Sequence, residues 1–330
     1  MQTLFLVADS GGIRTTAKLL RSGEIVAIPT ETVYGLACNA LNPEAIEKVF
    51  KVKGRPSNNP LIVHVSGLEM AGKLGLEIPP IAEILSERFW PGPLTMIFKK
   101  NKDTIPPEVS CGLDTVAVRV PSHPAALEII KLCRFPLAAP SANISGSPSP
   151  TKSEHVYDDL KDKIPLILDG GECEGGIEST VVMFETIESS EISQRIRILR
   201  PGGVTAEQLG EFAETVIDDA VCAEYNGENP SSPGTAHKHY SPKAQVIAVV
   251  AENQEKFINY INANKKKGDF ILSFTEDINE NARLLFSMLR DLDEMGAKRI
   301  FARLPEPEGL GLAVYNRLIR AAEFNSVKAE

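Results

Sequence analysis

The chain has 330 residues, of which 43% are hydrophobic and 24% are charged, and its formal net charge at pH 7 is −9. This composition is typical of a globular protein that is large enough for two domains. The acidic total argues against nucleic-acid binding as the main role. No apolar run reaches the roughly 18–20 residues that a membrane-spanning helix needs, so no membrane role is expected.

The cysteines and the N-terminal residues favour a reducing, cytoplasmic location. The five cysteines are scattered and form no CxxC pair. This pattern is typical of free thiols and not of a disulfide framework or a zinc site. The run LFLVA at 4–8 has no basic flank, and it is interpreted as a first strand and not as a signal peptide.

Apolar runs alternate with helical patterns over residues 1–204. Apolar residues at helical spacing predict helices at 43–53, 80–90 and 125–132. The β-rich runs predict strands at 24–30, 60–66, 94–100, 115–121, 136–142 and 179–184, with another inside 185–202. This order predicts one α/β domain.

A second, smaller domain is predicted after a helix and a linker. Residues 205–216 have the pattern of an amphipathic helix with Thr205 as its N-cap, and the periodicity is then lost over 221–242. Strand and helix patterns alternate again from 243 to 330, which predicts a three-layer, Rossmann-like sheet. No GxGxxG follows its first strand, so a dinucleotide site is not predicted.

One stretch imitates a phosphate-binding P-loop. Residues 67–74, GLEMAGKL, match GxxxxGK, but Leu74 stands where a P-loop needs serine or threonine to hold magnesium. The apolar Leu68, Met70 and Ala71 are typical of a helix that packs on a core. This structural interpretation is therefore preferred.

Four polar loops at the ends of strands are candidate binding elements. Lys53 and Arg55 place two cations on one short turn, KGRP, which suits a polyanion. PTETVYGL (29–36), PSANISGSPSPT (140–151) and GGIESTVV (175–182) supply hydroxyls, amides and backbone N–H groups where ligands of α/β sheets tend to bind. Each loop alone is also compatible with a structural role, as a solvated turn, a helix N-cap or a surface loop.

Taken in this order, the motifs resemble the YrdC/Sua5 family of threonylcarbamoyl-AMP synthases. Lys53 and Arg55 match the family's Lys-x-Arg, and Ser141 and Asn143 match its Ser-x-Asn. ILRPG, SPGTAHKHYSP and GLGLAVYNRLIRAA resemble the longer, two-domain form, so the resemblance covers nearly the whole chain. It implies a YrdC-like twisted, open mixed sheet with helices, followed by a smaller Rossmann-like α/β domain.

The resemblance implies a nucleotidyltransferase. Its substrates would be L-threonine, bicarbonate or CO2, and ATP, and its products L-threonylcarbamoyladenylate and pyrophosphate. Other proteins would use the first product to form N6-threonylcarbamoyladenosine in tRNA, so contact with tRNA is expected to be indirect or weak. Magnesium is the expected companion of the triphosphate, and no metal site made of protein ligands is expected.

The family pattern, carried onto this sequence, implies two sets of binding residues. L-Threonine would contact Thr32, His64, Arg119, Ser141 and Ser179. ATP would contact Lys53, Arg55, Asn59, Thr115, Asn143, Thr151, Arg200 and His237. The catalytic set would be Lys53, Arg55, Ser141 and Asn143. Nucleotidyl transfer needs positioning and charge neutralisation more than a side-chain nucleophile, which suits these residues.

The segment SPGTAHKHYSP (232–242) resembles the family segment that folds over the nucleotide. The product is a mixed anhydride that hydrolyses readily, and a closing segment would exclude water from it. His237, Lys238, His239 and Tyr240 would then lie near the mouth of the active site. The three residues after SPG depart from the family's commoner methionine, basic residue and tyrosine, and His237 would keep an aromatic contact to ATP.

Two other functions are compatible with a domain of this kind. RNA binding in ribosome or tRNA maturation is disfavoured by the charge of −9 and by the lack of interleaved basic and aromatic residues. A carbamoyltransferase of the hydrogenase-maturation type shares the domain. Such proteins also carry zinc-finger segments, and this sequence has no CxxC repeat.

Overall fold

The computed structural model describes residues 2–100, 104–186, 194–222 and 239–329. These residues form two α/β units, each built on its own sheet. The larger sheet holds twelve of the described strands and the smaller holds four. No helix within these ranges is long and apolar enough to cross a lipid bilayer.

The first unit contains twelve of the described strands and eight of the described helices. The strands are β1 Leu4–Val7, β2 Val26–Ile28, β3 Gly35–Asn39, β4 Ile62–His64, β5 Leu76–Glu77, β6 Leu94–Lys100, β7 Thr115–Arg119, β8 Leu137–Ala138, β9 Leu166–Asp169, β10 Thr180–Thr186, β11 Gln194–Arg200 and β12 Thr215–Ile217. The helices are α1 Ser10–Arg21, α2 Pro43–Lys53, α3 Leu68–Gly72, α4 Pro80–Phe89, α5 Pro107–Ser110, α6 Pro124–Cys133, α7 Ser153–Leu160 and α8 Ala206–Gly210.

The larger sheet is mixed and open. Its strand order is β1-β9-β2-β3-β8-β4-β7-β6-β10-β11-β12, and β5 pairs with β6 beside this path. β4 runs parallel to β7 with His64 opposite Arg119, and β6 runs antiparallel to β7 with Thr95 opposite the same arginine. This register brings three polar side chains together at one end of the central strands.

Helix α2 has well-defined ends. Asn42 accepts hydrogen bonds from the backbone N–H groups of Glu44 and Ala45, and Pro43 occupies the first turn, where its missing N–H costs nothing. Gly54 ends the helix in the left-handed conformation, with φ 61°, which glycine adopts without strain. The turn at Gly54 places two cations, Lys53 and Arg55, on either side of it.

The second unit is a three-layer α/β sandwich. Its elements are β13 Gln245–Val250, α9 Gln254–Asn264, β14 Asp269–Leu272, α10 Ile278–Glu294, β15 Arg299–Arg303, α11 Leu310–Ala321 and β16 Ser326–Lys328. The strands are all parallel, in the order β14-β15-β13-β16. Helix α9 packs on one face of the sheet, and α10 and α11 pack on the other. The α/β class, with a mixed open sheet and a smaller Rossmann-like unit, is confirmed.

Ion pairs and a shared apolar cluster join the two units. Arg290 of α10 forms an ion pair with Asp159 of α7, with 2.7 Å between the closest charged atoms. Val33 and Ile177 of the first unit pack in the same cluster as Tyr240 and the residues of α10 and α11. The second unit therefore rests directly on the loops after β2 and before β10.

Two sequence predictions are settled by these elements. The helix predicted over 205–216 is wrong in length: Thr205 does cap α8, but the helix ends at Gly210, and the β-branched residues of Thr215–Ile217 pair with β11 as a strand. Residues 67–74 contain the short helix α3, and Ala71 packs in the core, as predicted for a helix that packs on a core.

Candidate active site

A cavity lies beside the central strands of the larger sheet. Its walls come from the loops after β2, α2 and β8, from the ends of β4, β7 and β11, and from the segment before β13. The predicted site residues that line it are Thr32, Lys53, Arg55, His64, Arg119, Ser141, Asn143, Ser179 and Arg200. The structure therefore brings most of the predicted residues together.

The cavity is cationic although the chain as a whole is acidic. Lys53, Arg55, Arg119 and Arg200 line it, and Glu178 is the one carboxylate among the described lining residues. Charges in a water-poor cavity interact more strongly than charges on the surface, because the local dielectric is lower. The cavity is therefore suited to a polyanionic ligand.

Lys53 ties the Lys-x-Arg turn to the Ser-x-Asn loop. Its side chain is 1% exposed, and Nζ donates hydrogen bonds to the carbonyl oxygens of Ser141 and Asn143. Burial lowers the pKa of this amine well below its ordinary value, and the charge of Arg55 adds to the effect. An anion in the cavity would favour the charged form of the amine.

Arg55 is held in place by Asn59. The Arg55 guanidinium donates from Nη2 to Asn59 Oδ1 at 2.7 Å and from Nε to the Asn59 carbonyl oxygen at 2.9 Å. Burial lowers the pKa of Arg55 to about 10, so the group stays charged at neutral pH. Asn59 itself does not line the cavity, and in this structure it orients the arginine.

The Ser-x-Asn loop is ordered by its own side chains. Ser141 Oγ donates to Asn143 Oδ1 at 2.5 Å, and Asn143 Nδ2 donates to the carbonyl oxygens of Ile144 and Ser147 at 2.8 Å each. Both ends of the asparagine amide are therefore occupied within the loop. The loop holds its shape before any ligand arrives.

Arg119 lies at the end of β7 and is 4% exposed. Its guanidinium donates to Glu31 Oε1 at 2.5 Å, to Thr32 Oγ1 at 2.9 Å and to the carbonyl oxygen of Gly92 at 3.2 Å. Burial raises the pKa of Glu31, but the charge and hydrogen bond of Arg119 outweigh it, so this pKa is lowered. A carboxylate ligand at Arg119 would have to share the guanidinium with Glu31.

Ser179 and Arg200 form one connected unit. Arg200 donates from Nε and Nη2 to the Ser179 carbonyl oxygen at 3.1 and 3.0 Å, and the Ser179 hydroxyl lies 2.7 Å from that of Thr95. A Cβ at Gly202 would overlap the carbonyl oxygen of Glu178. Glycine is therefore required where the chain after β11 passes the Ser179 loop.

Some predicted ATP-binding residues lie away from the lining. Thr115 begins β7, at the opposite end of that strand from Arg119. Thr151 is fully buried, and its backbone N–H donates to His155 Nδ1 at 3.3 Å. His237 lies outside the described residues, as do residues 232–238 of the predicted closing segment. The assignment of these residues to ATP remains a prediction.

The described part of the predicted closing segment reaches the cavity. His239 and Tyr240 line it, as expected for residues near the mouth of an active site. The Tyr240 ring stacks on Phe286 of α10, with 5.4 Å between the ring centroids. Glu178 also lines the cavity, and it was noted from the sequence only as part of a polar loop.

Lowering the pH from about 7 to about 5 is expected to destabilise the protein. Burial lowers the pKa of His64 to about 3 and that of His155 to about 4, from an ordinary value near 6.5. In this range the unfolded chain binds protons that the folded chain does not, so each histidine removes up to about 1.4 kcal/mol of unfolding free energy per pH unit. Denaturant titrations at several pH values test this.

His155→Asn tests the contribution of this histidine. The asparagine side-chain oxygen can still accept the hydrogen bond from the backbone N–H of Thr151, but the side chain does not titrate. The variant should show a shallower loss of stability between pH 7 and pH 5 than the parent protein. An unchanged slope would show that His155 is not neutral in the folded state.

The fold and the cavity together define a two-unit α/β protein with a cationic cavity beside a mixed sheet. The family model of Sua5, YciO and YrdC, described as "Telomere recombination", matches residues 18–202. The model "Threonylcarbamoyl-AMP synthase, C-terminal domain" matches residues 204–323. The chain therefore belongs to the Sua5/YrdC family of threonylcarbamoyl-AMP synthases, enzymes of the nucleotidyltransferase type.

Similar proteins support this assignment over the full length. The threonylcarbamoyl-AMP synthase of Pyrococcus abyssi is 41% identical and covers 96% of this chain and 95% of its own. The Bacillus subtilis enzyme of the same name is 40% identical and covers 94% of this chain and 92% of its own. The crystal structure of P. abyssi Sua5 complexed with L-threonine matches with a TM-score of 0.89 at 39% identity and covers 100% of both chains.

Proposed function

We propose that this chain joins L-threonine, bicarbonate or CO2, and ATP into L-threonylcarbamoyladenylate and releases pyrophosphate. The observation that carries the proposal is the convergence of Lys53, Arg55, Arg119 and Arg200 on one cavity that also presents serine, threonine and asparagine side chains. Such a set of fixed cations and hydrogen-bonding groups suits a reaction in which an amino acid meets a triphosphate.

L-Threonine would contact Thr32, His64, Arg119, Ser141 and Ser179, which all line the cavity. The Arg119 guanidinium is held in one orientation by Glu31, Thr32 and Gly92, and the amino-acid carboxylate would share it with Glu31. The pKa of His64 is lowered by burial, so a neutral imidazole would face the substrate. The solved P. abyssi relative is a complex with L-threonine, which supports an amino-acid subsite here.

ATP would occupy the part of the cavity lined by Lys53, Arg55, Asn143 and Arg200. The three cations would neutralise the phosphates, and Asn59 would contribute by holding Arg55. Thr115, Thr151 and His237 stay in the proposal as ATP-binding residues that the family pattern implies.

Magnesium is proposed to enter with the triphosphate. The described residues contain no group of three or more His, Cys, Asp and Glu side chains that could hold a metal, and Glu178 is already paired with Arg317. These observations fit an ion held mainly by phosphate oxygens, as is usual for Mg²⁺. When bound there, the ion would offset phosphate charge, while the cations of the chain position the triphosphate.

The chemistry needs positioning more than a side-chain nucleophile. The neutral amine of threonine attacks the carbon of CO2, one C–O π bond opens to place a negative charge on oxygen, and the nitrogen releases a proton to solvent, which leaves a carbamate. A carbamate oxygen then bonds to the α-phosphorus, the bond from this phosphorus to the bridging oxygen breaks, and pyrophosphate leaves with the electron pair. Lys53, Arg55 and Arg200 would stabilise the charge that develops on the phosphate oxygens.

We also propose which segment closes the site, which proteins use the product and where the reaction takes place. Residues 232–242 would close over the nucleotide, and His239 and Tyr240 already lie at the cavity. The product would pass to proteins that modify tRNA, and contact with tRNA would be indirect or weak. The reaction would take place in the cytoplasm.

The test is a set of omission assays that follow pyrophosphate release. With ATP, L-threonine, bicarbonate and Mg²⁺ present, release is expected to be fast, and omission of any one substrate should stop it. L-Serine in place of L-threonine should react much more slowly. Pyrophosphate release that does not depend on threonine would contradict the proposal, and salt-sensitive RNA binding without ATP use would favour the RNA-binding alternative.

A further inference from the structure

A buried chain of polar contacts runs from the second unit to the wall of the cavity. Arg317 of α11 is 0% exposed, and its Nε donates to Glu178 Oε2 at 3.1 Å. Its Nη1 donates to the carbonyl oxygen of Pro201, at the exit of β11. Glu178 Oε1 accepts a hydrogen bond from Ser149 Oγ at 2.5 Å. One arginine of the second unit thus holds a carboxylate that lines the cavity of the first.

The same arginine also contacts Tyr240. The guanidinium carbon of Arg317 lies 5.4 Å from the centroid of the Tyr240 ring, within the range of a cation–π interaction. Tyr240 and Glu178 both line the cavity. Arg317 therefore touches two wall residues that come from different segments of the chain.

The positive charge of Arg317 helps to keep the buried Glu178 carboxyl group ionised. Burial raises the pKa of Glu178, but Arg317 and then Arg200 outweigh this effect, and the pKa is lowered. Glu178 is therefore ionised at neutral pH although it is only 7% exposed. The other titratable groups that line the cavity are Lys53, Arg55, His64, Arg119, Arg200, His239 and Tyr240. Without Arg317, its largest source of compensation, this buried negative charge would depend mainly on Arg200, which also faces the cavity suited to phosphates.

We propose that Arg317 is a positioning residue of the active site, which neutralises Glu178 so that a triphosphate can bind beside it. The proposal rests on the proposed function, because it takes ATP as the anion in the cavity. It assigns the second unit an electrostatic role in nucleotide binding, in addition to carrying the end of the segment before β13.

Two other ion pairs between the units do not involve residues that line the cavity. Arg283 of α10 pairs with Glu172 at 3.2 Å, and Arg290 pairs with Asp159, but none of these four residues lines the cavity. Arg283 and Glu172 are about a third exposed, so loss of their pair should matter little. Arg283→Met is therefore a matched control for removal of an arginine from this interface.

The experiment compares Arg317→Met, Glu178→Gln and the double variant in the full chain. Calorimetry gives the Kd for ATP with Mg²⁺ at several pH values between about 6 and 9, and product formation is measured in parallel. Arg317→Met is expected to weaken ATP binding by about tenfold or more at the highest pH, because Glu178 is then charged and poorly compensated.

The double variant separates charge from packing. Because glutamine carries no charge, Arg317→Met with Glu178→Gln should bind ATP within about threefold of the parent protein at every pH. A double variant as weak as Arg317→Met alone would overturn the proposal. Arg283→Met should bind ATP like the parent protein.

Two further outcomes remain informative. If Arg317→Met does not fold, the double variant is compared with Glu178→Gln. Weaker ATP binding by the double variant than by Glu178→Gln then overturns the proposal. If the parent protein makes product and binds ATP but the variants do not follow this pattern, the role of Arg317 fails while the proposed function stands. A folded parent protein that does not bind ATP would sink both.

Discussion

Lys53→Ala is expected to lower the rate of product formation by at least about a thousandfold. Removal of one fixed group that stabilises transition-state charge typically costs about 100–1,000-fold, and an arginine that contacts the transferred phosphoryl group contributes more. Lys53 has a second task, since its Nζ bonds to the carbonyl oxygens of Ser141 and Asn143. The substitution therefore removes a cation from the cavity and releases the Ser-x-Asn loop. Steady-state turnover of ATP measures the effect.

Two variants make this prediction specific. Lys53→Met keeps most of the side-chain volume. A loss of activity similar to that of Lys53→Ala would therefore assign the effect to the ammonium group and not to the space that alanine leaves in the packing. Lys51→Ala removes an exposed lysine from the same turn of α2 and should leave turnover unchanged. Unchanged ATP turnover in a folded Lys53→Ala protein would rule out the role of Lys53 at the phosphates.

Arg119→Lys is expected to raise the KM for L-threonine by about a hundredfold while ATP binding in the absence of threonine changes little. Lysine keeps the charge but cannot form the planar fork that binds two carboxylate oxygens. Loss of one or two charge-assisted hydrogen bonds corresponds to about 1.5–3 kcal/mol each, which is consistent with this factor. The lysine would also hold Glu31, Thr32 and Gly92 less well.

The matched control for Arg119→Lys is Arg197→Lys. Arg197 of β11 also pairs with a carboxylate, Glu185, but it is about 29% exposed and does not line the cavity. Its replacement should leave the KM for L-threonine and the affinity for ATP unchanged. If Arg119→Lys lowered the affinity for ATP as much as that for L-threonine, the two proposed subsites would not be separate.

Much of the fold follows from local sequence. Helix α2 has the predicted bounds because Asn42, Pro43 and Gly54 mark its ends unambiguously, and β6 has the predicted bounds because its apolar run is long. The hairpin partner β3 was not predicted, since its residues follow a polar loop that also fits a helix cap. It becomes a strand because it pairs with β2 in a hairpin and with β8, which lies far away in sequence.

The site could be predicted only in part, and for a clear reason. Each binding motif is a short contiguous stretch, so its polar residues are recognisable from the sequence as candidates. The family resemblance then assigns them to substrates. The pair of Glu178 and Arg317 is 139 residues apart, and Arg317 looks like an ordinary charged residue of an amphipathic helix. Only the docking of α11 on the first unit turns that arginine into a buried partner of the cavity wall.

The most direct test of the central claim is to identify the product by mass spectrometry after incubation with ATP, L-threonine, Mg²⁺ and ¹³C-labelled bicarbonate. The chain is expected to release pyrophosphate together with an adenylate that contains threonine and carries the isotope in its carbamoyl carbon. A folded protein that yields only AMP or ADP, with no labelled threonine adduct, would contradict the account.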